Sequence, residues 1–442
     1  MTTFIAEPVA PKERVGSLDV LRGVAVCGIL LMNIPLMGML GDGGHPPLPA
    51  VANADWIAYS IQNTIFAGSM RGLFTLLFGA GMLIMLRGAD APGGNGSIQA
   101  YLTRCFALIL LGVANFALFL WPGEILFNYG VCGLFLLLFR KAQPRVLYTA
   151  AAAMLVIMTV ALATPSIDRA ETLRGAPAAA AAKAAGKTLT REQEASLAMQ
   201  ARVAEAVRPP AATLEKERRE RTSFPGVLAW STKFWVDFNL APLGFMFLLE
   251  SLSFMLIGMA LFQTGVLSGG RSLRFYGFLA AGGYGLGLLV RGSQEIAHWM
   301  TGFEPNPEQM VWRGFVYELG RLPMTVGLLG LVMILYRTGA LGRLAGGIQA
   351  IGRMALTNYV GQSVITSVLF YAFGLVGKLG FAQLMGTAAL IWIAQGLFSV
   401  LWLRRYQMGP LEWLLRMLTY GVVMPLGRIP SRSPVGIPAA AE

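Results

Sequence analysis

The chain has 442 residues, of which 55% are hydrophobic and only 13% are charged. Soluble domains carry roughly a quarter charged residues, so this composition indicates an integral membrane protein with many spans. The net charge of +12 comes from lysines and arginines that punctuate the apolar runs. That arrangement is typical of positive-inside bias and not of a nucleic-acid surface, so we expect no nucleic-acid partner.

Cysteine and histidine are too sparse for the usual metal centres. Cys27, Cys105 and Cys132 all fall inside apolar runs without a CxxC pair, and His45 and His298 are the only histidines. We therefore interpret the cysteines as helix-packing residues, and we predict no metal site and no permanently bound cofactor.

Apolar runs long enough to cross roughly 30 Å of hydrocarbon recur along the whole chain. They lie near 20–40, 70–86, 103–120, 125–139, 146–164, 242–263, 274–290, 322–336, 355–376 and 385–403. The fold class we predict is all-α, a polytopic membrane bundle of about ten transmembrane helices. Lysine and arginine of the short loops then fall on one side, so we predict that both termini are cytoplasmic.

The same pattern divides the chain into four segments. Residues 1–164 hold the first five predicted spans, and residues 241–408 hold the last five. Between them, residues 165–240 form an Ala-rich and charged insertion, predicted to be water-exposed and external. Residues 409–442 are predicted to form an amphipathic segment on the cytoplasmic surface and a disordered tail.

Two shorter pieces carry local signals. In the insertion, Thr190 and Gln193 have the spacing of a capping box, which predicts a helix from there to about Val207. The stretch from Trp56 to Ile65 precedes the second span and is predicted to lie in the interface or to re-enter the membrane.

Polar residues form stripes on the first and ninth predicted spans. Asp19, Arg22 and Asn33 share one side of the first helix. On the ninth, Asn358, Gln362 and Thr366 recur at every fourth position and can bond across to the first stripe, although interhelical packing alone also explains them. Asp19 and Arg22 are interpreted as a structural ion pair or, alternatively, Arg22 as a phosphate ligand at the cytoplasmic entrance.

Two groups of charge are predicted on the outer side. Glu124, in the turn after Trp121, is a candidate general base or acceptor ligand, with a solvated turn carboxylate as the alternative. A dense charged set approaches the eighth span and could bind an anionic or sugar-like acceptor, although a solvated loop is the interpretation we favour. Its members are Arg291, Glu295, His298, Arg313, Glu318 and Arg321.

Five ordered blocks resemble the YeiB-like family of bacterial inner-membrane proteins, whose carboxy-terminal half is catalogued as domain of unknown function 418. The blocks are Leu18-Asp19-x-x-Arg22-Gly23 with Asn33, Phe74-Thr75-Leu76-Leu77-Phe78-Gly79-Ala80-Gly81, Trp121-x-Gly123-Glu124-Ile125-Leu126 with Tyr129-Gly130, Gly352-Arg353-Met354-Ala355-Leu356-Thr357-Asn358-Tyr359, and Gly409-Pro410-Leu411-Glu412-Trp413. The resemblance covers nearly the whole chain and implies a multi-pass protein of the bacterial inner membrane.

This family is similar to a wider group of transmembrane acyltransferases that includes heparan-α-glucosaminide N-acetyltransferase. Those enzymes carry acetyl from cytoplasmic acetyl-CoA to an acceptor across the membrane, using a histidine in the loop after the first helix. The matching residue is His45, with Asp42 close to it in a glycine-rich turn. The resemblance therefore implies His45 as the catalytic residue, with a surface-loop histidine as the alternative. Asp42, from its place in the same turn, and Glu124, from its own turn, are further catalytic candidates.

The resemblance also implies acyl-CoA as a co-substrate, a small-molecule or glycan acceptor and the lipid bilayer as a partner. The chain departs from the pattern of relatives at two places: they often carry histidine after the Leu-Gly of the third predicted helix, where this chain reads Leu111-Gly112-Val113-Ala114-Asn115, and aspartate in place of Glu124. The candidate substrate-binding residues are Asp19, Arg22, Asn33, Arg71, Asn115, Arg353, Asn358 and Gln362.

Whether the chain is an enzyme stays open at this point. A transporter or exporter of a small molecule or lipid is the alternative, and a non-catalytic subunit of an envelope complex is a third; a homo-oligomer fits each. The sequence has no Walker loop, no GxGxxG between strand and helix and no GxSxG motif, so ATP-driven transport and nucleotide-cofactor redox chemistry lose their usual sequence support. The lack of a clear internal repeat favours the enzyme over the transporter.

Overall fold

A computed structural model describes residues 16–41, 53–87, 95–301 and 306–427. These described residues are folded into helices joined by short turns, and no strand forms among them. The predicted all-α fold class is therefore confirmed. The helices fall into an amino-terminal group, the insertion and a carboxy-terminal group.

The amino-terminal group supplies most of the apolar core. Its helices are α1 Gly16–Gly38, α2 Ala54–Ile61, α3 Ser69–Met85, α4 Asn95–Phe119, α5 Leu126–Leu136 and α6 Pro144–Arg174. A wider helical turn, Gln62–Phe66, links α2 to α3, so the stretch from Trp56 to Ile65 is helical. Its predicted interfacial position stays a prediction.

The insertion is helical throughout. It holds α7 Ala176–Ala184, α8 Arg191–Val207, α9 Ala211–Glu220 and α10 Phe224–Asn239. The predicted capping box is confirmed, since the Thr190 hydroxyl accepts from the Gln193 amide and the Gln193 side chain accepts from the Thr190 amide. Helix α6 continues through Pro165 into the segment assigned to the insertion.

The carboxy-terminal group completes the bundle. Its helices are α11 Pro242–Gln263, α12 Leu273–Met300, α13 Pro307–Arg337, α14 Leu344–Arg353, α15 Ala355–Ser367, α16 Phe381–Arg405 and α17 Pro410–Tyr420. A wider turn, Val368–Ala372, extends α15.

Eight helices of the described residues are long and apolar enough to cross a membrane. They account for eight of the ten predicted runs. The other two runs form shorter helices. Run 125–139 corresponds to Leu126–Phe139, which is apolar but short. In run 355–376, the regular helix α15 ends at Ser367, where the wider turn begins. The bundle is thus polytopic as predicted, with two partial spans among its helices.

The helix ends gather at two faces of the bundle. At the face where α1, α4 and α6 begin, which we call the arginine-rich end, the Gln263 side chain donates to the Ala142 carbonyl at 3.1 Å. At the opposite face, the insertion end, the Gly377 amide donates to the Gly38 carbonyl at 2.7 Å. This grouping of helix ends is the one expected if successive spans cross the membrane in alternating directions, as the sequence predicts. The assignment of the arginine-rich end to the cytoplasm stays a prediction.

The insertion is anchored to the first helix. Arg221 is only 1% exposed, and its guanidinium donates to the carbonyls of Leu36, Met37 and Met39 at 3.1, 2.6 and 2.7 Å. Glu217 holds that guanidinium from one turn earlier at 3.0 Å. The last carbonyls of a helix lack helical partners, and a cation satisfies both their hydrogen bonds and the helix dipole. The insertion is therefore packed against the end of α1 at Arg221, while most of its residues are exposed, and its predicted external position stays a prediction.

Two of the family blocks meet through their glycines. A Cβ on Gly352 would overlap the carbonyl oxygen of Asp19, and a Cβ on Gly23 would overlap the carbonyl oxygen of Ile348. Helices α1 and α14 therefore approach backbone to backbone, which membrane helices achieve through small residues. This contact places the charged start of α1 beside Arg353.

Candidate functional site

A cavity of about 640 Å³ lies at the arginine-rich end, within the size range of small-molecule sites. Helices α1, α3, α4, α5, α14, α15 and α17 supply its wall. Much of the lining is apolar or aromatic, including Phe74, Phe78, Met82, Leu108 and Leu415. The amphipathic α17 forms one side of this cavity, and its predicted position on the cytoplasmic surface stays a prediction.

Arginine dominates the polar part of the lining. Five arginines face two carboxylates, those of Asp19 and Glu412. The arginines are Arg22, Arg87, Arg104, Arg353 and Arg416. Five positive charges against two negative ones leave the cavity with an excess of positive charge, and both carboxylates already have partners inside the protein. Such a cavity suits a ligand with several negative charges.

The first carboxylate is held by the first helix itself. The Arg22 guanidinium donates to the Asp19 carboxylate at 3.2 Å, which confirms the predicted pairing on adjacent turns. Arg22 stays 31% exposed, whereas the Asp19 side chain is 8% exposed. Asp19 therefore fixes Arg22 at the cavity wall while leaving part of its guanidinium accessible.

The second carboxylate caps a helix. Glu412 accepts from the amides of Leu356 and Thr357 at 2.6 and 3.1 Å and from the Thr357 hydroxyl at 2.6 Å. Burial nevertheless raises the pKa of Glu412, and these hydrogen bonds oppose that shift only in part. Glu412 thus ties α17 to the first turn of α15 and keeps the cavity closed on that side.

Arg104 and Arg87 make no hydrogen bond to the described residues and can therefore donate to a ligand. Arg104 lies half-buried on α4. Arg87 is exposed at the end of α3, with its guanidinium 5.5 Å from the centre of the Phe262 ring. A phosphate group would supply the bidentate acceptors that such guanidinium groups lack.

The deep end of the cavity is formed by two tyrosines. The Tyr129 hydroxyl is hydrogen-bonded to that of Thr75, and the Tyr359 hydroxyl accepts from the Ile125 amide at 3.1 Å. Beyond them, towards the insertion end, a second apolar cluster fills the bundle, with Trp121 buried among its members. The residues that line the cavity do not extend into this cluster.

Glu124 is fully buried, so the alternative of a solvated turn carboxylate is wrong. Its carboxylate accepts from the amides of Leu126 and Phe127, the latter at 3.0 Å, and so caps the start of α5. A Cβ on Gly112 would collide with it at 2.5 Å. Glu124 does not line the cavity, and its predicted catalytic role stays a prediction.

The polar stripe of the ninth predicted span bonds to partners other than those expected. Asn358, 2% exposed, donates to the Ser399 hydroxyl at 3.0 Å. Gln362 donates to Gln395 at 3.1 Å and to the Val26 carbonyl at 3.2 Å. The predicted packing of the first helix against α15 is thus confirmed, but through the backbone of α1, since the stripe faces α16 and not Asp19, Arg22 or Asn33.

The remaining substrate-binding candidates lie away from the cavity. Asn33 is half-buried on α1. Asn115 is 2% exposed, and neither atom of its amide has a hydrogen-bonding partner among the described residues. Arg71 on α3 forms an ion pair with Glu250 on α11. The candidates His45 and Asp42 lie outside the described residues.

The charged set near the eighth span is not a solvated loop. Arg291 and Glu295 lie on α12, Glu318 and Arg321 on α13, and each is at most 7% exposed. With Arg71 and Glu250 they form what we call the ion cluster, in which Arg321 contacts both Glu250 and Glu318. The preferred sequence interpretation was therefore wrong for these four residues; the side chain of Arg313 is not among those described.

Sequence reasoning missed most of the cavity. In the sequence, Arg87 and Arg104 indicate only the orientation of the chain, and Glu412 and Arg416 belong to a predicted surface segment. The signal available was the fifth family block, in which Glu412 follows Gly409 by three residues. Groups of three or more histidine, cysteine, aspartate or glutamate residues suited to a metal are absent from the described ranges.

Comparison with known proteins gives a family but no activity. A family model described as protein of unknown function (DUF418) matches residues 261–422. The uncharacterized protein YeiB of Escherichia coli (strain K12) is 30% identical over 420 residues, 92% of this chain and 96% of that protein. The uncharacterized protein YxaH of Bacillus subtilis (strain 168) is 27% identical over 432 residues, 96% and 98% of the two chains. No solved structure matches.

Proposed function

The chain belongs to the YeiB-like family of membrane proteins, and we propose that it binds acyl-CoA from the cytoplasm in this cavity and transfers the acyl group to an acceptor across the membrane. The observation that supports this proposal is the excess of arginine around a largely apolar cavity. Coenzyme A carries several phosphate groups and an apolar arm that ends in a thioester. Those two parts match the arginines and the apolar wall.

Within the cavity, each group has a distinct task. Arg104 and Arg22 bind the phosphates by charge-assisted hydrogen bonds, and Phe78 and Leu108 contact the pantetheine arm. The thioester then lies near Tyr129 and Tyr359, at the deep end. Water is scarce there because the lining is apolar, which protects the thioester from hydrolysis.

The transfer step breaks the thioester C–S bond and forms a new C–O or C–N bond to the acceptor. His45, by resemblance, accepts the proton of the attacking hydroxyl or amine, and the coenzyme A thiolate takes up a proton as it leaves. The apolar cluster around Trp121 separates the cavity from the insertion end. For transfer across the membrane, these side chains must therefore move apart.

The first experiment measures acetyl-CoA binding to the purified protein in lipid nanodiscs by calorimetry. Losing a hydrogen bond to a charged group costs about 1.5–3 kcal/mol, so Arg104→Ala should weaken binding about ten-fold or more. Arg343→Ala is the matched control, since Arg343 is an exposed arginine outside the cavity. Equal affinity in wild type and Arg104→Ala, or no binding in wild type, would refute the proposal.

The second experiment separates transfer from binding. In liposomes with candidate amine and sugar acceptors inside, release of the coenzyme A thiol reports transfer. His45→Ala should abolish that release and leave acetyl-CoA affinity unchanged, because a proton acceptor acts mainly in the transition state. Normal thiol release in His45→Ala would exclude this histidine as the catalytic residue.

A transporter is the second candidate, and one observation favours it. The cavity opens at one end and is closed at the other by packed side chains. A transporter in one of its two access states has the same shape. The same liposome assay distinguishes the two functions. An acyltransferase releases the coenzyme A thiol, whereas a transporter would carry its compound across the membrane unmodified and release no thiol.

A further inference from the structure

The ion cluster is joined to the cavity by hydrogen bonds. Tyr129 lines the cavity, and its hydroxyl is bonded to Thr75. The Thr75 hydroxyl in turn donates to the Arg71 carbonyl at 2.7 Å. The Arg71 guanidinium is paired with Glu250, and the charges of Arg71 and Arg321 both act on the Tyr129 hydroxyl. One end of the ion cluster therefore lies directly behind the cavity wall.

The centre of the cluster alternates acids and bases. Glu250 on α11 contacts both Arg71 and Arg321. Arg321, which is 0% exposed, also reaches Glu318 at 3.2 Å, one turn earlier on α13. Three helices far apart in the sequence are thus brought together by two carboxylates at membrane depth.

The series continues to the insertion end. Arg291 on α12 acts on Glu318 through its charge and donates to the Asn63 carbonyl at 3.2 Å. The Asn63 amide donates to Glu295 at 3.2 Å, and His298 lies 4.0 Å from the same carboxylate. Helix α12 ends two residues after His298. The polar series therefore runs from the cavity wall to the opposite face of the bundle.

Three atoms in the middle of this series lack partners among the described residues. They are Oε2 of Glu318 and Nε and Nη2 of Arg321. Buried polar atoms almost always have a hydrogen-bonding partner, and a water molecule is the usual one where the protein supplies none. A water bound at Oε2 of Glu318 would let a proton pass between carboxylates that do not touch, and the two arginine nitrogens would hold that water in place.

We propose that the ion cluster is a proton pathway, in which Glu295, Glu318 and Glu250 carry a proton between the insertion end and the cavity wall at Tyr129. Charged residues inside a membrane are costly, and acidic chains in that position commonly relay protons. The groups that face Glu318 are Arg71 from α3 and Arg291 from α12, which act on it through their charges, and Arg321 from its own helix. Arg321 in turn contacts Glu250 from α11, and Tyr317 acts on Arg291.

The carboxylates and the arginines have different tasks in this pathway. Arginine keeps its proton under all conditions in a protein, so it does not relay. It holds the neighbouring carboxylates in place and compensates their charge. A proton taken up from water at the insertion end by Glu295 is passed to Glu318, then to Glu250, and from Glu250 through a buried water to the Tyr129 hydroxyl oxygen. Tyr129 releases its own proton to the cavity as it receives this one, and each donor returns to its starting form. No bond other than O–H changes, and the net result is one proton moved.

The experiment is proton flux into liposomes that contain the protein and a pH-sensitive dye, driven by a potassium diffusion potential. Glu318→Gln keeps the shape of the side chain and removes its titration. We expect this variant to lose at least nine-tenths of the protein-dependent flux. Glu308→Gln is the control, because Glu308 lies on the same helix but is 68% exposed and paired with Arg174. It should conduct like the wild type.

Two results would overturn the inference. One is equal flux in wild type and Glu318→Gln; the other is wild-type flux no faster than that of protein-free liposomes, with or without acetyl-CoA. If Glu318→Gln does not fold, Glu295→Gln, at the other end of the series, is measured in its place. Infrared spectra of the wild type must then show a band from a buried carboxyl group that changes with pH, and this band must be altered in Glu295→Gln.

This inference does not depend on the ligand of the cavity. Glu318→Gln should still bind acetyl-CoA with wild-type affinity. If acetyl-CoA fails to bind but flux depends on Glu318, only the proposed acyl transfer falls. If acetyl-CoA binds and flux is insensitive to Glu318, only the proton pathway falls.

Discussion

The cavity and the ion cluster both hold arginines and carboxylates inside the bundle, but they differ in charge balance. In the cavity, five arginines face two carboxylates that are already bound within the protein. In the ion cluster, three arginines face three carboxylates, and Arg321 lies between two of them. The cavity therefore has charge to offer a ligand, whereas the cluster has its charge compensated internally.

The difference shows that an arginine inside the bundle can either be available to a ligand or stabilise the fold. Arg104 has no hydrogen bond to the described residues and is half-exposed to the cavity, so its removal should cost binding. Arg321 is fully buried between glutamates, so its removal leaves uncompensated charge and should cost stability. The predictions below test this contrast, from the largest expected effect to the smallest.

The largest effect is expected where the cavity wall rests on backbone contact. Gly352→Ala would place a methyl group against the Asp19 carbonyl oxygen, and backbone there cannot yield as a flexible side chain would. We expect a cost above the roughly 1–3 kcal/mol of ordinary overpacking, and hence little folded protein. Size-exclusion chromatography of the purified variant measures this.

Gly347→Ala serves as the control for that variant. Gly347 lies on the same helix, and a Cβ there would meet nothing within 4 Å. It should purify like the wild type. If Gly352→Ala also purifies in normal yield with unchanged thermal stability, the close approach of α1 and α14 is incorrect.

The next effect compares the two arginines directly. Arg321→Ala removes one partner of a buried ion pair, and such a change typically costs about 3–5 kcal/mol of unfolding free energy. Arg104→Ala should change that free energy by no more than about 0.5 kcal/mol. Denaturant unfolding in detergent micelles gives both values. Equal destabilisation by the two substitutions would remove the distinction between a binding and a structural arginine.

An exposed ion pair provides the reference for a small loss of unfolding free energy. Arg174 and Glu308 are 2.7 Å apart with side chains 46% and 68% exposed. Arg174→Ala should cost at most about 1 kcal/mol in the same unfolding measurement. A larger loss of unfolding free energy would show that solvent exposure does not explain the difference in stability between this exposed ion pair and the buried one of Arg321.

The smallest effect is a pH dependence at the cavity wall. The folded state raises the pKa of Glu412, so it binds the proton more tightly than the unfolded state does. Stability relative to Glu412→Gln should therefore fall as pH rises from the ordinary glutamate pKa through the raised one. Thermal unfolding of both proteins across that range measures the difference. A difference that is constant or grows with pH would contradict the assigned burial.

The apolar runs were enough to predict the bundle, because hydrocarbon thickness fixes helix length. They were not enough to predict the fate of Arg291 and Glu295, since these follow the apolar run 274–290 and look like a loop in the sequence. The helix α12 continues through them because their partners lie on other helices, such as Asn63 and Ser60. Contacts of that range leave no periodic signal.

The site was predicted in part. Asp19, Arg22 and Arg353 do lie at the cavity, and each stands in a family block. Arg104 and Arg416 carry no local signal beyond their charge, and the sequence alone cannot show that α17 folds back against α4. The catalytic residue implied by resemblance, His45, lies outside the described residues, so its role depends on the transfer assay.

The central claim is that the cavity receives a phosphate-bearing acyl carrier. The most direct test is a cryo-electron microscopy map of the protein in nanodiscs with saturating acetyl-CoA. We predict phosphate density within hydrogen-bonding distance of Arg104 and of at least one of Arg22, Arg87 and Arg416, with the thioester pointing towards Tyr129. A map with no ligand density in this cavity, or with the ligand bound only at the insertion end, would contradict the account.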